Sequence, residues 1–107
     1  MAHYLVQVAY SAEAWASLVK NPQDRIAKVS KAVEKLGGKL LQGWMSFGDF
    51  DTILIMEMPD NVGAAAFAVA IAAGGACKGV KTTPLLSVEE GLAAMKKAGS
   101  TDYRPPN

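Results

Sequence analysis

The sequence predicts an α+β domain built on a four-stranded antiparallel sheet. Three observations lead to this prediction: four short segments with the composition of strands, longer segments in which apolar residues recur at helical spacing, and a chain of 107 residues, the length of one domain. Hydrophobic residues make up 50% of the chain and charged residues 20%, which is typical of a chain with a packed core. The expected order is β-α-β-β-α-β, followed by a C-terminal helix.

The first half of the chain predicts one strand and an interrupted helix. Residues 3–10, HYLVQVAY, have the length and composition of a strand. Ser11 supplies an N-cap oxygen for a short helix. A second helix is expected to begin at Asn21, because Pro22 is tolerated in the first turn, and to end at Gly37. Between these points apolar residues recur at helical spacing: Ile26, Val29, Val33 and Leu36.

The second half predicts a hairpin, an apolar helix, a last strand and a C-terminal helix. Residues 39–47 and 52–58 are the hairpin strands, joined by the short segment GDFD. The helix that follows is apolar nearly all round, so it should be packed on both sides. Residues 79–87 form the last strand, and its proline places it at a sheet edge or bulge. Ser87 and Glu90 match a capping box for the last helix.

This order is the split-βαβ, ferredoxin-like arrangement, with both main helices on one face of the sheet. Because side chains alternate across a strand, one apolar layer is expected under the helices: Val6, Val8, Met45, Phe47, Leu54 and Met56. The opposite face also carries large apolar side chains: Leu5, Trp44, Ile53, Ile55 and Leu85. A solvated face would alternate into polar residues, so we expect two copies to associate sheet to sheet. The alternative is that the C-terminal helix covers part of this face.

Composition and charge narrow the range of functions. A net charge of +1 argues against nucleic acid as a partner, since phosphate binding needs a dense basic face. No apolar segment reaches the roughly 20 residues of a membrane span. One cysteine and one histidine exclude a zinc cage from one chain, and we expect no metal and no cofactor. The absence of a signal-peptide pattern predicts a cytoplasmic protein, with residues 1–98 as the domain and 99–107 as a flexible tail.

Two carboxylates, Asp49 and Asp51, lie on either side of Phe50 in the hairpin connection. Such a pair could share a proton in acid–base chemistry, or each carboxylate could bind nearby backbone, as Asp does in tight turns. Gly48 and the lack of a neighbouring histidine favour the turn. Asp51 is then expected to accept hydrogen bonds at the start of the third strand.

Polar side chains lie among the apolar residues of the second sheet face. Gln7, Gln42 and Trp44 fit a ligand pocket, which is mostly apolar with a few polar groups. His3 and Glu57 are the candidate proton acceptors, because histidine titrates near neutral pH and a glutamate lies on the same face. The alternatives are a core or dimer contact for Trp44 and a frayed surface position for His3.

The single cysteine is a further candidate for chemistry. Lys78 lies next to Cys77 and would favour the thiolate, which is the reactive form of cysteine. No histidine accompanies it in the sequence, so an incidental thiol is the favoured interpretation.

Several segments resemble the GYD domain family: YLVQVAY, KAVEKLGGKL, GDFDTILIMEMPD and VKTTPLLS, which together span most of residues 4–90. Gly48, Phe50 and Asp51 match the motif of that family, where tyrosine is usual at the middle position; Phe50 keeps the ring and lacks the hydroxyl. The family is similar to dimeric α/β-barrel, ferredoxin-like proteins and is mostly of unknown function. The resemblance therefore implies a fold and a dimer rather than an activity. Relatives by fold include small monooxygenases, haem-degrading enzymes and isomerases.

Two functional hypotheses follow. The first is a non-catalytic homo-oligomeric domain that binds a small apolar or amphipathic molecule or serves as an assembly unit. The second is a cofactor-independent monooxygenase or isomerase, in which His3 or Glu57 accepts a proton and Trp44 positions an aromatic substrate. The apolar second face and the lack of a complete catalytic constellation favour the first.

Overall fold

A computed structural model of the chain describes residues 1–106, so Asn107, the last residue of the predicted tail 99–107, lies outside the described residues. The elements are β1 (Ala2–Tyr10), α1 (Ala12–Lys20), α2 (Arg25–Lys35), β2 (Lys39–Met45), β3 (Thr52–Met58), α3 (Asn61–Ala73), β4 (Cys77–Leu85) and α4 (Val88–Gly99). The strands form one antiparallel sheet in the order β2-β3-β1-β4. The predicted ferredoxin-like arrangement is therefore confirmed.

Helix α2 begins later than the sequence predicts. Asp24, and not Asn21, is its N-cap, and the Asp24 Oδ1 atom accepts a hydrogen bond from the Ala27 backbone N–H. Asn21 instead ends α1, where its backbone N–H donates to the Ser17 carbonyl. Aspartate and asparagine are similarly good N-caps, and the structure uses Asp24.

The other helix starts follow the sequence. The Ser11 Oγ atom accepts from the Ala14 N–H at the start of α1. At α4 the Ser87 hydroxyl accepts from the Glu90 N–H while the Glu90 carboxylate accepts from the Ser87 N–H, so the predicted capping box is confirmed. These hydrogen bonds hold the pKa of Glu90 below its ordinary value.

The core lies between the sheet and helices α2 and α3. Alternate side chains of β1 and β3 are buried there, together with Phe67 of α3, which is 1% exposed. The other members are Tyr4, Val6, Val8, Tyr10, Val33, Leu54, Met56, Met58 and Ala64. Helix α1 contributes only half-buried side chains to this core. The buried core therefore lies mainly under α2 and α3, and α1 covers it only with half-buried side chains.

Strand β2 departs from simple alternation. Its pairing with β3 shifts register between Leu40 and Gln42, which leaves Leu41 as a bulge residue. The strand ends at Met45, which is 69% exposed, and Phe47 beyond it is 98% exposed. The prediction that Met45 and Phe47 belong to the core layer is wrong. Met45 pairs with the buried Thr52 and so faces the helix side, but at the end of this edge strand its side chain stays exposed, and Phe47 lies beyond the strand.

Strand β4 and helix α3 also differ in detail from the prediction. β4 begins at Cys77, two residues earlier than predicted, and it is the other edge of the sheet, as Pro84 indicated. Helix α3 is not packed on both sides: Phe67 points into the core, whereas Val62 and Val69 are exposed. Its many alanines make the helix apolar without giving the outer side much surface to bury.

Among residues 1–106, none of the helices combines the length and the apolar character that crossing a membrane would need.

The face of the sheet opposite the helices is uncovered, and we call it the open face. Helix α4 contributes no buried residue and makes no extensive contact with the sheet, so it does not cover this face as the alternative in the sequence allowed. Instead α4 carries exposed apolar side chains of its own: Val88, Leu92 and Met95. The molecule therefore has one packed side of the sheet and one bare side.

Candidate functional site

Asp51 ties the hairpin to the central strand β1. Its Oδ2 atom accepts from the Tyr10 backbone N–H at 2.8 Å, and its own N–H donates to the Val8 carbonyl at 2.8 Å. Across the turn, the Ser46 hydroxyl donates to the Phe50 carbonyl at 2.7 Å. The carboxylate of Asp51 is therefore engaged with backbone.

Gly48, Asp49 and Phe50 precede Asp51 in the turn, and the backbone conformation explains the glycine. Gly48 has a φ of +152°, a conformation that glycine adopts readily, and a Cβ added there would meet no atom within 4 Å. Glycine is thus required by the backbone conformation rather than by lack of space. Phe50 is half-buried, and Asp49 is exposed and makes no hydrogen bond to any of residues 1–106. Nothing in this turn pairs the two carboxylates.

The substitution Asp51→Ala is expected to lower the free energy of unfolding by about 1–3 kcal/mol, because it leaves the buried Tyr10 N–H without an acceptor. The matched variant Asp49→Ala should change stability by less than about 0.5 kcal/mol, since its side chain is exposed. Urea denaturation followed by circular dichroism measures both. Equal losses in the two variants would contradict the assigned role of Asp51.

The open face carries all five residues that the sequence nominated for binding or proton transfer: His3, Gln7, Gln42, Trp44 and Glu57. His3 and Glu57 are cross-strand neighbours, with 3.6 Å between Nε2 and Oε2 and with side chains 50% and 26% exposed. Gln7 and Trp44 lie on either side of Ile53, and Trp44 is 62% exposed. The structure thus brings the five residues onto one surface, without enclosing them in either of the clefts described next.

The centre of the open face is apolar. Leu5 pairs with Ile55 on one side and with Thr83 on the other, and Ile53 is next to Trp44. Polar residues lie at the margins: Lys39, Glu57 and His3 in one row, and Gln7 and Lys81 in another. The open face therefore has an apolar centre surrounded by a polar rim.

A cleft of about 470 Å³ lies on the helix side of the sheet, between the sheet and helices α1, α2 and α3; we call it the helix-side cleft. Its walls are mainly apolar: Val8, Leu18, Val29, Leu54, Phe67 and Ile71. A second cleft of about 480 Å³ adjoins it and shares Tyr10, Leu18, Gln23, Arg25 and Thr52. Small-molecule sites have volumes of about 300–1,000 Å³. The two clefts meet under the connection between α1 and α2.

Two cationic side chains, Arg25 and Lys28, line the helix-side cleft. Lys28 donates from Nζ to the Gln23 Oε1 atom at 2.7 Å, and Arg25 donates from Nη1 to the same oxygen at 3.4 Å. Neither cation forms an ion pair with a carboxylate among residues 1–106. Two positive charges therefore share one neutral acceptor beside an apolar cavity.

The interior of the cleft contains three further polar groups. The Thr52 hydroxyl donates to the Tyr10 hydroxyl oxygen at 3.0 Å, and the Tyr10 ring packs edge-on against Trp15 with 5.3 Å between centroids. Burial raises the pKa of the Cys77 thiol above its ordinary value, an effect that the positive charge of Arg25 partly opposes. Burial therefore favours the neutral thiol of Cys77. This environment does not support the activation of Cys77 by Lys78 that the sequence suggested.

The sequence did not single out Arg25, Lys28 and Gln23. Two cations three positions apart near a helix start are visible in the sequence, but lysine and arginine on an amphipathic helix normally belong to the solvated side. The α1–α2 connection is what brings Gln23 against both of them at the edge of a cavity. That placement comes from tertiary packing.

The fold and its two faces define a small ferredoxin-like α+β domain with a bare sheet face and a cleft beneath its helices. The profile of the GYD domain matches residues 4–95. The chain belongs to the GYD domain family, and the resemblance noted in the sequence is confirmed. No curated protein matches the chain in sequence.

Solved structures share this fold at low sequence identity. TTHA0845 from Thermus thermophilus superimposes with a TM-score of 0.55 at 11% identity, over 82% of this chain and 96% of its own. MtbAldR gives a TM-score of 0.58 at 15% identity, over 80% of this chain and 53% of its own. FFRP-DM1 gives 0.51 at 13% identity, over 80% of this chain and 100% of its own. At such identities the likeness concerns the fold alone.

Proposed function

We propose that this GYD domain is a homodimer that binds a small apolar or amphipathic molecule in the helix-side cleft. The observation that carries the proposal is the cleft itself: a volume of about 470 Å³, mainly apolar walls and a few polar groups at defined positions. This places the ligand on the opposite side of the sheet from Gln7, Gln42 and Trp44, which the sequence nominated. We assign those three residues to the surface that the second copy covers.

The packing of α1 supports a cleft that admits a ligand. None of its residues is buried, and it rests on the core through Ala14, Trp15 and Leu18. A ligand that covers the exposed apolar walls gains about 25 cal/mol for each Å² removed from water.

Nile red, a neutral apolar dye, is expected to bind saturably with increased fluorescence. The substitution Ala70→Trp places a large side chain in the cleft lining and should weaken binding at least about tenfold. The matched variant Ala72→Trp lies on the exposed part of the same helix, outside both cleft linings, and should bind like wild type. Fluorescence titration measures all three proteins. Non-saturable binding by wild type, or equal affinity in the two variants, would contradict the proposal.

The homodimer is supported by the bare apolar centre of the open face. Leu5, Ile53 and Ile55 are half-buried and Trp44 is exposed, and a patch of large apolar side chains that no helix covers is typical of an interaction surface. A second copy of the same face matches it, because its apolar centre meets an apolar centre and its mixed-charge rim meets groups of both signs. Two-fold pairing of identical surfaces is also the commonest way in which chains associate.

A lysine at the centre of the open face should prevent this association. The substitution Ile55→Lys is expected to give a monomer, because two unpaired charges would be buried at the interface. The matched variant Val69→Lys, on the exposed side of α3, should remain dimeric. Size-exclusion chromatography with light scattering gives the mass of each. A monomeric wild-type protein would rule out the dimer.

The contact between His3 and Glu57 favours a second candidate function, a cofactor-independent monooxygenase or isomerase. A carboxylate 3.6 Å from the imidazole orients it as a proton acceptor. The variants His3→Ala and Glu57→Gln should then abolish turnover of a quinol-type substrate while the far-ultraviolet spectrum stays unchanged. Glu13→Gln, on the exposed side of α1, is the control. Wild-type turnover in both variants would remove the enzyme hypothesis for this pair.

A further inference from the structure

We propose that the ligand of the helix-side cleft is an apolar molecule ending in a carboxylate, and that Arg25 and Lys28 bind this carboxylate at the edge of the cleft. The inference rests on the ligand binding proposed above and adds the charge and shape of the ligand's head group to it. It is carried by the placement of the two cations, by the single oxygen between them, and by the charge of the lining.

The two cations are placed as an anion receptor. Arg25 and Lys28 lie three positions apart in the first turn of α2, where side chains face each other. Like charges at this spacing repel, yet both side chains converge on the Gln23 Oε1 atom. An uncharged oxygen therefore occupies a position in which two positive charges would be better satisfied by a negative one.

The oxygen between the cations indicates the chemistry of the head group that they would bind. The Gln23 side-chain oxygen belongs to a planar amide, which has the shape of a carboxylate but lacks its charge. A ligand carboxylate in the same position would make charge-assisted hydrogen bonds, which are roughly twice as strong as neutral ones. Gln23 and Lys28 are exposed, so the amide can move aside without disturbing the core.

The charges around the cleft favour an anion over a cation. The lining of the helix-side cleft contains Arg25 and Lys28 and no carboxylate. The nearest acid in sequence, Asp24, lines the adjoining cleft, and its side chain is engaged as the N-cap of α2. A ligand carboxylate at the edge would therefore meet positive charge without competition inside this lining.

The rest of the cleft fits an apolar chain or ring behind the head group. Arg25 is half-buried in the lining, and the apolar side chains there that keep accessible surface are Leu18, Val29 and Ile71, whereas Leu54 and Phe67 belong to the closed core behind them. An amphipathic carboxylate satisfies both parts at once: the head group remains at the charged edge, and the apolar part covers the walls. A fully polar anion would leave the apolar walls exposed to water, and a fully apolar ligand would leave the two cations with only the neutral Gln23 oxygen as acceptor.

The experiment compares decanoate with decanamide, which have the same chain and nearly the same head-group shape but differ in charge. Each displaces Nile red from the wild-type protein and from the double variant R25Q/K28Q. Wild type should bind decanoate at least about tenfold more tightly than decanamide, a difference of about 1.4 kcal/mol. The double variant should bind both equally. The control double variant K31Q/K35Q removes two exposed lysines of the same helix, outside the cleft linings, and should keep the preference.

The outcomes separate this inference from the ligand binding on which it rests. If Nile red binds but wild type shows no preference for decanoate, or if R25Q/K28Q keeps the preference, the carboxylate assignment is wrong and the apolar site stands. If neither Nile red nor decanoate binds, both proposals fail. Should R25Q/K28Q not fold, the single variant K28Q, at an exposed position, replaces it and is expected to lose part of the preference.

Discussion

The arrangement of this protein depends on the alternation of side chains along the central strand β1. β1 pairs with β3 on one side and with β4 on the other, so each of its side chains is committed to one face of the sheet. Tyr4, Val6 and Val8 point to the helices and are buried, whereas Leu5 and Gln7 point to the open face. A shift of one residue would exchange the two sets. Hydrogen bonds at both ends of β1 hold the strand in the observed register.

Those hydrogen bonds connect the strand to the start of α3, to the hairpin and to the segment before β4. The Tyr4 hydroxyl donates to the Asn61 side-chain oxygen at 2.6 Å, which holds the start of α3 against the sheet. At the other end the Asp51 carboxylate accepts from the Tyr10 N–H. The Ser11 N–H donates to the Ala76 carbonyl at 2.9 Å. The family motif therefore contributes to register, and it acts on the cleft through the strand that forms its floor.

The two faces of the sheet differ in a way that suits the two proposed roles, ligand binding and self-association. The helix side contains a cavity because α1 rests on the core through half-buried side chains, while α2 and α3 pack closely. None of the candidate residues of the open face lines either cleft, and this face has an apolar centre with a polar rim. Assigning assembly to one face and ligand binding to the other uses both surfaces without conflict.

Local patterns in the sequence determined the ferredoxin-like order, the bounds of β3, the capping box of α4 and the identity of the open-face residues. Each of these depends on residues adjacent in sequence or on strict alternation along a regular strand. Tertiary structure alone decided that β2 ends at Met45 and leaves Phe47 in solvent, that α2 starts at Asp24, and that α4 leaves the open face bare. It also decided that Gln23 joins two cations beside a cavity, because a cavity is a property of how elements pack and has no local signature in the chain.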